Sequence, residues 1–185
     1  MTVVFLDRDG IINVNRGDYV KTVDEFVFLP GAFEGLAKLK EAGITTVVIS
    51  NQAGVGRGLI DPAELERINQ TMLRAAAEHG GQISGLYYCT HRKEENCECR
   101  KPEVGLFRKA SAEMGFSLAG SYFVGDARSD IEAGHRAGCR TVLVLTGKSS
   151  AGDAETWSCR PEHIAEDLPS AVDWILSMSG AEGQG

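Results

Sequence analysis

Val3-Val4-Phe5-Leu6-Asp7-Arg8-Asp9-Gly10 is the stretch that decides the fold. Four apolar residues run without alternation, as they do in a strand buried on both faces. They end in two aspartates one residue apart, then a glycine. An extended chain puts Asp7 and Asp9 on one side. In open α/β sheets, ligands bind outside the carboxyl ends of the strands, so paired acids at that place point to a functional site. Taken alone, the same residues also fit a strand end closed by an Asx turn into Gly10.

Outward from this stretch, Thr45–Ile49, Leu86–Tyr88, Tyr122–Val124 and Thr141–Leu145 read as further buried strands. Amphipathic segments alternate with them. Phe33, Leu36, Ala37 and Leu39 share one helical face, and Leu65, Ile68, Met72 and Ala76 another. The second helix opens with Asp61 as N-cap, Pro62 at its first position and Glu64 three residues after the cap. Helices are expected to stop at Gly43, Gly115 and Gly138, where glycine takes up the left-handed cap conformation. Strand–helix alternation with short glycine turns predicts an α/β protein, a parallel sheet covered by helices on both faces.

The 185 residues are 43% hydrophobic and 24% charged, enough for one domain with a real core. No linker, repeat or low-complexity segment divides the chain. A single domain over 1–177 is expected, with a small polar tail over 178–185 that frays. Lys and Arg total 19 against 26 Asp and Glu, a net charge of −7. That balance argues against nucleic acid or an anionic membrane as partner, but leaves room for a phosphorylated substrate in a small basic pocket. The N-terminus lacks a basic start, and no stretch reaches the roughly 18 apolar residues of a membrane span. A cytoplasmic monomer is expected.

A second strand end repeats the acidic arrangement: Tyr122-Phe-Val-Gly125-Asp126-Ala-Arg-Ser-Asp130. Asp130 also fits an early helix residue favoured by the macrodipole. Asp7, Asp9 and Asp126 form a hard-oxygen set suited to Mg²⁺. Ser50-Asn51-Gln52 follows the strand Thr45–Ile49, and Arg100-Lys101-Pro102 precedes a helix. A hydroxyl and an ammonium at the mouth of a sheet suit phosphoryl oxygens. Asp-x-Asp, then Ser, then Lys, then Gly-Asp-x-x-x-Asp, each after a strand and in this order, resembles the haloacid dehalogenase superfamily of phosphatases. The match runs from Asp7 to Asp130, and its flanking elements extend to about Leu145. Ile11 stands where the superfamily usually has Thr or Val.

The resemblance implies a three-layer Rossmann-like fold and a set of roles. Asp7 would be the nucleophile that forms an aspartyl-phosphate. Asp9 would be the general acid and then the general base. Ser50 and Lys101 would hold the transferring phosphoryl group. Mg²⁺ would take Asp7, the Asp9 backbone carbonyl and Asp126, with Asp130 a weaker or supporting ligand.

Thr90–Cys99 is charged, cysteine-rich and neither helical nor strand-like. Cys89-x-His91-x₅-Cys97-x-Cys99 offers three thiolates and an imidazole, a closed structural-zinc set. Four protein ligands leave no open position for catalysis, so zinc is expected to clamp the loop and aim Arg100 and Lys101 at the substrate. The other two of the five cysteines, Cys139 and Cys159, read as small packing residues.

The insert resembles the zinc-containing branch of the superfamily, whose members remove the 7-phosphate of D-glycero-D-manno-heptose 1,7-bisphosphate or hydrolyse histidinol phosphate. The first activity belongs to nucleotide-heptose and lipopolysaccharide precursor synthesis. The branch lacks a large cap domain, and the spans Asp9–Ala32 and Asn51–Cys89 leave no room for one here. A substrate collar is expected from Asn15, Arg16, Tyr19, Asn51, Gln52, Arg57 and Arg100. Arg16, Arg57 and Arg100 suit a second phosphate, which favours the phosphorylated sugar over histidinol phosphate. Gly54-Val-Gly56-Arg-Gly58 does not match a dinucleotide fingerprint. Thr146-Gly147-Lys148-Ser149 lacks the first glycine of a P-loop. A zinc-stabilised phosphate-binding module without catalysis is the alternative of a different class, and paired acids at a phosphate site argue against it.

Overall fold

Val3 to Leu6 have no exposed surface, because the strand they form is central to its sheet and covered on both faces. The computed structural model describes residues 2–182. Among them the strands are β1 (Val3–Leu6), β2 (Thr45–Asn51), β3 (Gly85–Cys89), β4 (Tyr122–Gly125), β5 (Arg140–Val144) and β6 (His163–Ala165). They pair in parallel throughout, in the order β3-β2-β1-β4-β5-β6. The helices are α1 (Ala32–Glu41), α2 (Ala53–Gly56), α3 (Pro62–Glu78), α4 (Gly105–Met114), α5 (Arg128–Ala137), α6 (Ala151–Glu155) and α7 (Leu168–Glu182).

Alternation along β1 splits the core in two. Val4 and Leu6 pack with Leu36 and Leu39 of α1, Ile68 and Met72 of α3, and Val172 and Ile175 of α7. Val3 and Phe5 face the other way, against Leu106 and Phe107 of α4 and Ala133 of α5. Phe5 and Phe123 meet the Phe107 ring edge-on, each with centroids 5.0 Å apart. The result is the expected helix–sheet–helix sandwich.

The capping expectations hold. The Asp61 side chain accepts from the Ala63 N–H, with Pro62 at the first helical position. Gly43, Gly115 and Gly138 have φ of 69°, 72° and 79°, conformations that would strain any residue with a Cβ. Cys139 is buried in the core, and Cys159 packs beside Ile131, Leu143 and Trp157. Of the tail expected to fray, 178–182 belong to α7, which runs to Glu182; residues 183–185 lie outside those described. No helix among the described residues is long and apolar enough to cross a membrane.

Strand order reverses at β1. The chain steps outward through β2 and β3, then returns to the other side of β1 to start β4. A crevice therefore opens at the carboxyl ends of β1 and β4, the switch point where such sheets bind ligands. Asp7 follows β1 there, and Asp126 follows β4.

Candidate active site

The four acidic and basic motifs meet at that crevice. The Asp7 N–H continues the β1–β4 ladder by donating to the Val124 carbonyl at 3.0 Å, which fixes the backbone beneath the carboxylate. The Lys101 ammonium is buried and donates to Asp7 Oδ1 at 3.0 Å, Asp130 Oδ1 at 2.8 Å and the Ile49 carbonyl at 3.1 Å. All three of its hydrogens are thus placed. Burial works against its charge, but Asp130 and Asp7 outweigh burial and hold it above the usual lysine value. Asn51 grips the Lys101 backbone on both sides, accepting from its N–H at 3.0 Å and donating to its carbonyl at 3.2 Å.

Asp7, Asp126 and Asp130 each bring a carboxylate oxygen within 4.8 Å of the others. Both Asp130 oxygens are engaged. Oδ2 accepts from the N–H groups of Asp126 and Ala127, both at 3.1 Å, and Oδ1 faces Lys101. Asp126 Oδ2 accepts from Asn15 Nδ2 at 3.1 Å and from the Lys148 N–H at 2.8 Å. Asp126 Oδ1 is buried with no donor among the described residues. Burial raises the Asp7 carboxyl above its usual value; Lys101 opposes this, and Asp130 and Asp9 add to it. Burial, then Asp130 and Asp7, push Asp126 up to about 7. Crowded carboxylates with one ammonium and one orphaned oxygen fit a hard divalent cation such as Mg²⁺.

This crowding has a pH signature. Asp126 titrates higher folded than unfolded, so without metal its contribution to stability falls as pH rises from about 4 to about 7. The rise in Tm on adding MgCl₂ should therefore be larger at pH 8 than at pH 5. Thermal melts with and without the salt measure it, and an equal or smaller gain at pH 8 would contradict the cluster's assignment.

Close approach by glycine makes the cluster possible. A Cβ on Gly10 or Gly147 would collide with the Asp126 carboxylate. Gly147 lies outside the left-handed region, so Gly147→Ala is free of backbone strain and acts by displacing Asp126 alone. It should lower kcat/KM about 100-fold, the scale of a displacement of about 1 Å in a catalytic group. Steady-state kinetics beside a melt would show that loss with the fold intact.

The Asp9 carboxylate stands apart from the three-acid cluster. Oδ1 accepts from Arg8 Nη2 at 2.9 Å and Asn13 Nδ2 at 2.8 Å; Oδ2 accepts from Gln52 Nε2 at 2.7 Å and Arg8 Nη2 at 3.2 Å. Burial disfavours its charge, but Arg8, Asn13 and Gln52 outweigh burial and hold the carboxyl below its usual range. Gln52 also donates to the Ser50 hydroxyl at 3.2 Å, and Ser50 in turn lowers Asp7.

A cavity of about 470 Å³ opens above these groups. Asp7, Asp9, Ser50, Lys101 and Asp130 form its floor; Asn15, Arg16, Tyr19, Asn51 and Arg100 stand in its wall. Two residues of the expected collar lie elsewhere. Gln52 is turned inward to Asp9 and Ser50, and does not line the cavity. Arg57 points away and pairs with Glu94 at 3.5 Å. Asn51 lines the wall, but its side chain holds Lys101. Lys93 and Lys148 were not anticipated and add cations to the wall. Lys148 belongs to the segment dismissed as a P-loop. That segment closes the site from beyond β5, with Thr146 Oγ1 donating to the Gly10 carbonyl at 2.6 Å. A small-residue turn just after a strand end was the signal for it.

The cysteine loop is brought together as expected. Cys89 ends β3, and the ligand atoms of Cys89, His91, Cys97 and Cys99 lie within 4.8 Å of one another. Cys97 Sγ is 3.5 Å from Cys89 Sγ and 3.4 Å from Cys99 Sγ; His91 Nδ1 is 3.1 Å from Cys99 Sγ and 3.7 Å from Cys89 Sγ. A tetrahedron with Zn–S bonds of about 2.3 Å has edges of about 3.8 Å, so the set fits one zinc ion. Burial raises the Cys97 thiol, but hydrogen bonds from Cys99, Cys89 and the backbone outweigh it and bring the thiol down to about 7, within reach of a metal at neutral pH.

Paired acids after β1, a hydroxyl at the carboxyl end of β2, a buried lysine and a second acid pair after β4, all at one switch point, define a haloacid dehalogenase-type phosphatase. Residues 98–171 match the HAD-hydrolase-like family model. The chain belongs to the family of the D-glycero-beta-D-manno-heptose-1,7-bisphosphate 7-phosphatases, with relatives that align over most of its length. It is 42% identical to that of Pseudomonas aeruginosa over 80% of this chain and 83% of the relative. It is 36% identical to that of Neisseria meningitidis serogroup A over 98% of each. The crystal structure of D,D-heptose 1,7-bisphosphate phosphatase from B. bronchiseptica, complexed with magnesium and phosphate, superposes with a TM-score of 0.89 at 35% identity, covering 96% of this chain and 99% of that one.

Proposed function

We propose that this chain removes the 7-phosphate of D-glycero-D-manno-heptose 1,7-bisphosphate through an aspartyl-phosphate at Asp7. The observation that carries the reading is the buried set Asp7, Asp126, Asp130 and Lys101 opening into a cavity walled by Arg16, Lys93, Arg100 and Lys148. Acids on the floor suit a metal and a nucleophile; cations in the wall suit a substrate with a second phosphate. The relatives' shared activity supports the same substrate.

In the first step an Asp7 carboxylate oxygen attacks phosphorus, and the bond from phosphorus to the O7 oxygen breaks. The departing alkoxide takes a proton from the Asp9 carboxyl. Arg8 keeps Asp9 ionised in the free protein. The doubly charged phosphate arriving beside it pushes Asp9 towards the protonated form. In the second step water attacks the aspartyl-phosphate, Asp9 takes its proton, and inorganic phosphate leaves with Asp7 restored. The Lys101 charge offsets that of the phosphoryl oxygens beside it, and the Ser50 hydroxyl orients them. Mg²⁺ held by Asp7, Asp126 and the Asp9 carbonyl, with Asp130 behind them, would offset phosphoryl charge as a Lewis acid.

Comparing kcat/KM for the heptose bisphosphate, its 7-monophosphate and histidinol phosphate tests the substrate. The bisphosphate should exceed each of the others by about 10–100-fold, the worth of one charge-assisted contact to the second phosphate. A preference for histidinol phosphate would overturn the reading.

A further inference from the structure

We infer that Arg8 is a positioning residue for the leaving-group proton transfer, acting through Asp9 from inside the protein. Arg8 is fully buried and does not line the cavity, so it reaches no substrate. Its Nη2 donates to both Asp9 oxygens, at 2.9 and 3.2 Å. With Asn13 on Oδ1 and Gln52 on Oδ2, this holds the carboxylate from three sides, and its 22% of exposed surface is what remains for the cavity. The Arg8 carbonyl accepts from the N–H groups of Ile12 and Asn13, at 2.9 and 3.2 Å, so the same residue also shapes the turn that presents Asn13.

Stability alone does not account for this side chain. Its Nε and Nη1 are buried with no acceptor among the described residues. Orphaned buried donors cost stability, and an apolar side chain of similar length is often as good or better at such a place. The Phe26 ring, 5.7 Å from Cζ, already provides an apolar wall for one. What the guanidinium adds is a fixed orientation for Asp9.

The inference rests on Asp9 as the acid that protonates the leaving oxygen. The test compares two leaving groups: the sugar alkoxide of the heptose bisphosphate, which needs a proton, and the nitrophenolate of p-nitrophenyl phosphate, which does not. Arg8→Met should fold and lower kcat/KM on the sugar phosphate about 100-fold, within the range of general acid catalysis. On p-nitrophenyl phosphate kcat/KM, which reads only the steps up to nitrophenolate release and not the later hydrolysis that also uses Asp9, should change by less than about threefold. Arg8→Lys keeps the charge without the planar fork and should show the same selectivity at smaller size; it carries the test if Arg8→Met does not fold. Equal losses on both substrates, or none, would overturn the inference. Asp9→Asn separates the two claims. If it too lowers kcat/KM on both substrates alike, the assignment of Asp9 as leaving-group acid fails; if its kcat/KM loss is selective and that of the Arg8 variants is not, only the role of Arg8 fails.

Discussion

Asp7→Asn should abolish turnover and leave the protein at least as stable as before. The amide keeps the shape of the carboxylate but cannot attack phosphorus, and no other group on the cavity floor is placed to replace it. Removing a nucleophile of this kind costs at least about 10⁴-fold in kcat. Stability moves the other way for an electrostatic reason. The Asp7 carboxyl is raised by burial and by its acidic neighbours, so its charge is a liability in the metal-free fold at neutral pH. Neutralising it relieves the repulsion, while Lys101 keeps Asp130 and the Ile49 carbonyl. Phosphate release and a melt at pH 8 read both effects. Activity within tenfold of the parent would mean that the nucleophile is misassigned.

The second large effect lies in the zinc loop. Cys97 touches both Cys89 and Cys99, so it is central to the set. Cys97→Ser should drop zinc from one per chain to a small fraction of that. The loop Thr90–Arg100 has no buried hydrophobic residue to hold it without the metal. Binding of structural zinc is itself folding free energy, of order 10 kcal/mol in small domains. Here most of the core is independent of the loop, and a loss of about 3 kcal/mol is expected, lowering Tm by roughly 6–12 °C for a chain of this size. Activity should fall as well, because Lys93 and Arg100 reach the cavity from this loop. Elemental analysis with calorimetry measures the outcome; one zinc per chain in the variant would show the ligand set to be wrong.

Much of this was legible in the amino-acid sequence, for identifiable reasons. Val3–Leu6 had to be a central strand because no alternation gave it a wet face. Asp7 and Asp126 stood out because they followed strand ends, where an α/β sheet exposes its backbone to ligands, and Lys101 because it stood between the cysteine-rich loop and a helix. The cysteine spacing needed no fold at all. The losses are as physical. β6 is three residues long, His163–Ala165, too short for any periodic signal. Arg8 was passed over because arginine is ordinarily a surface residue, and only the packed structure reveals it buried beside Asp9. Asn51 and Gln52 are polar residues after a strand, and nothing local says whether such side chains face the ligand or the neighbouring backbone. Arg57 was assigned to the collar by its company, but a surface glutamate takes it elsewhere. Lys148 joins the site from 22 residues beyond Asp126, a contact that exists only once β5 has returned beside β4.

The most direct test is ³¹P NMR of D-glycero-D-manno-heptose 1,7-bisphosphate incubated with the zinc-loaded protein and Mg²⁺. The 7-phosphomonoester resonance should give way to inorganic phosphate while the anomeric 1-phosphate resonance persists, and omitting Mg²⁺ should stop the conversion. Loss of the anomeric resonance first, or no hydrolysis at saturating Mg²⁺, would contradict it.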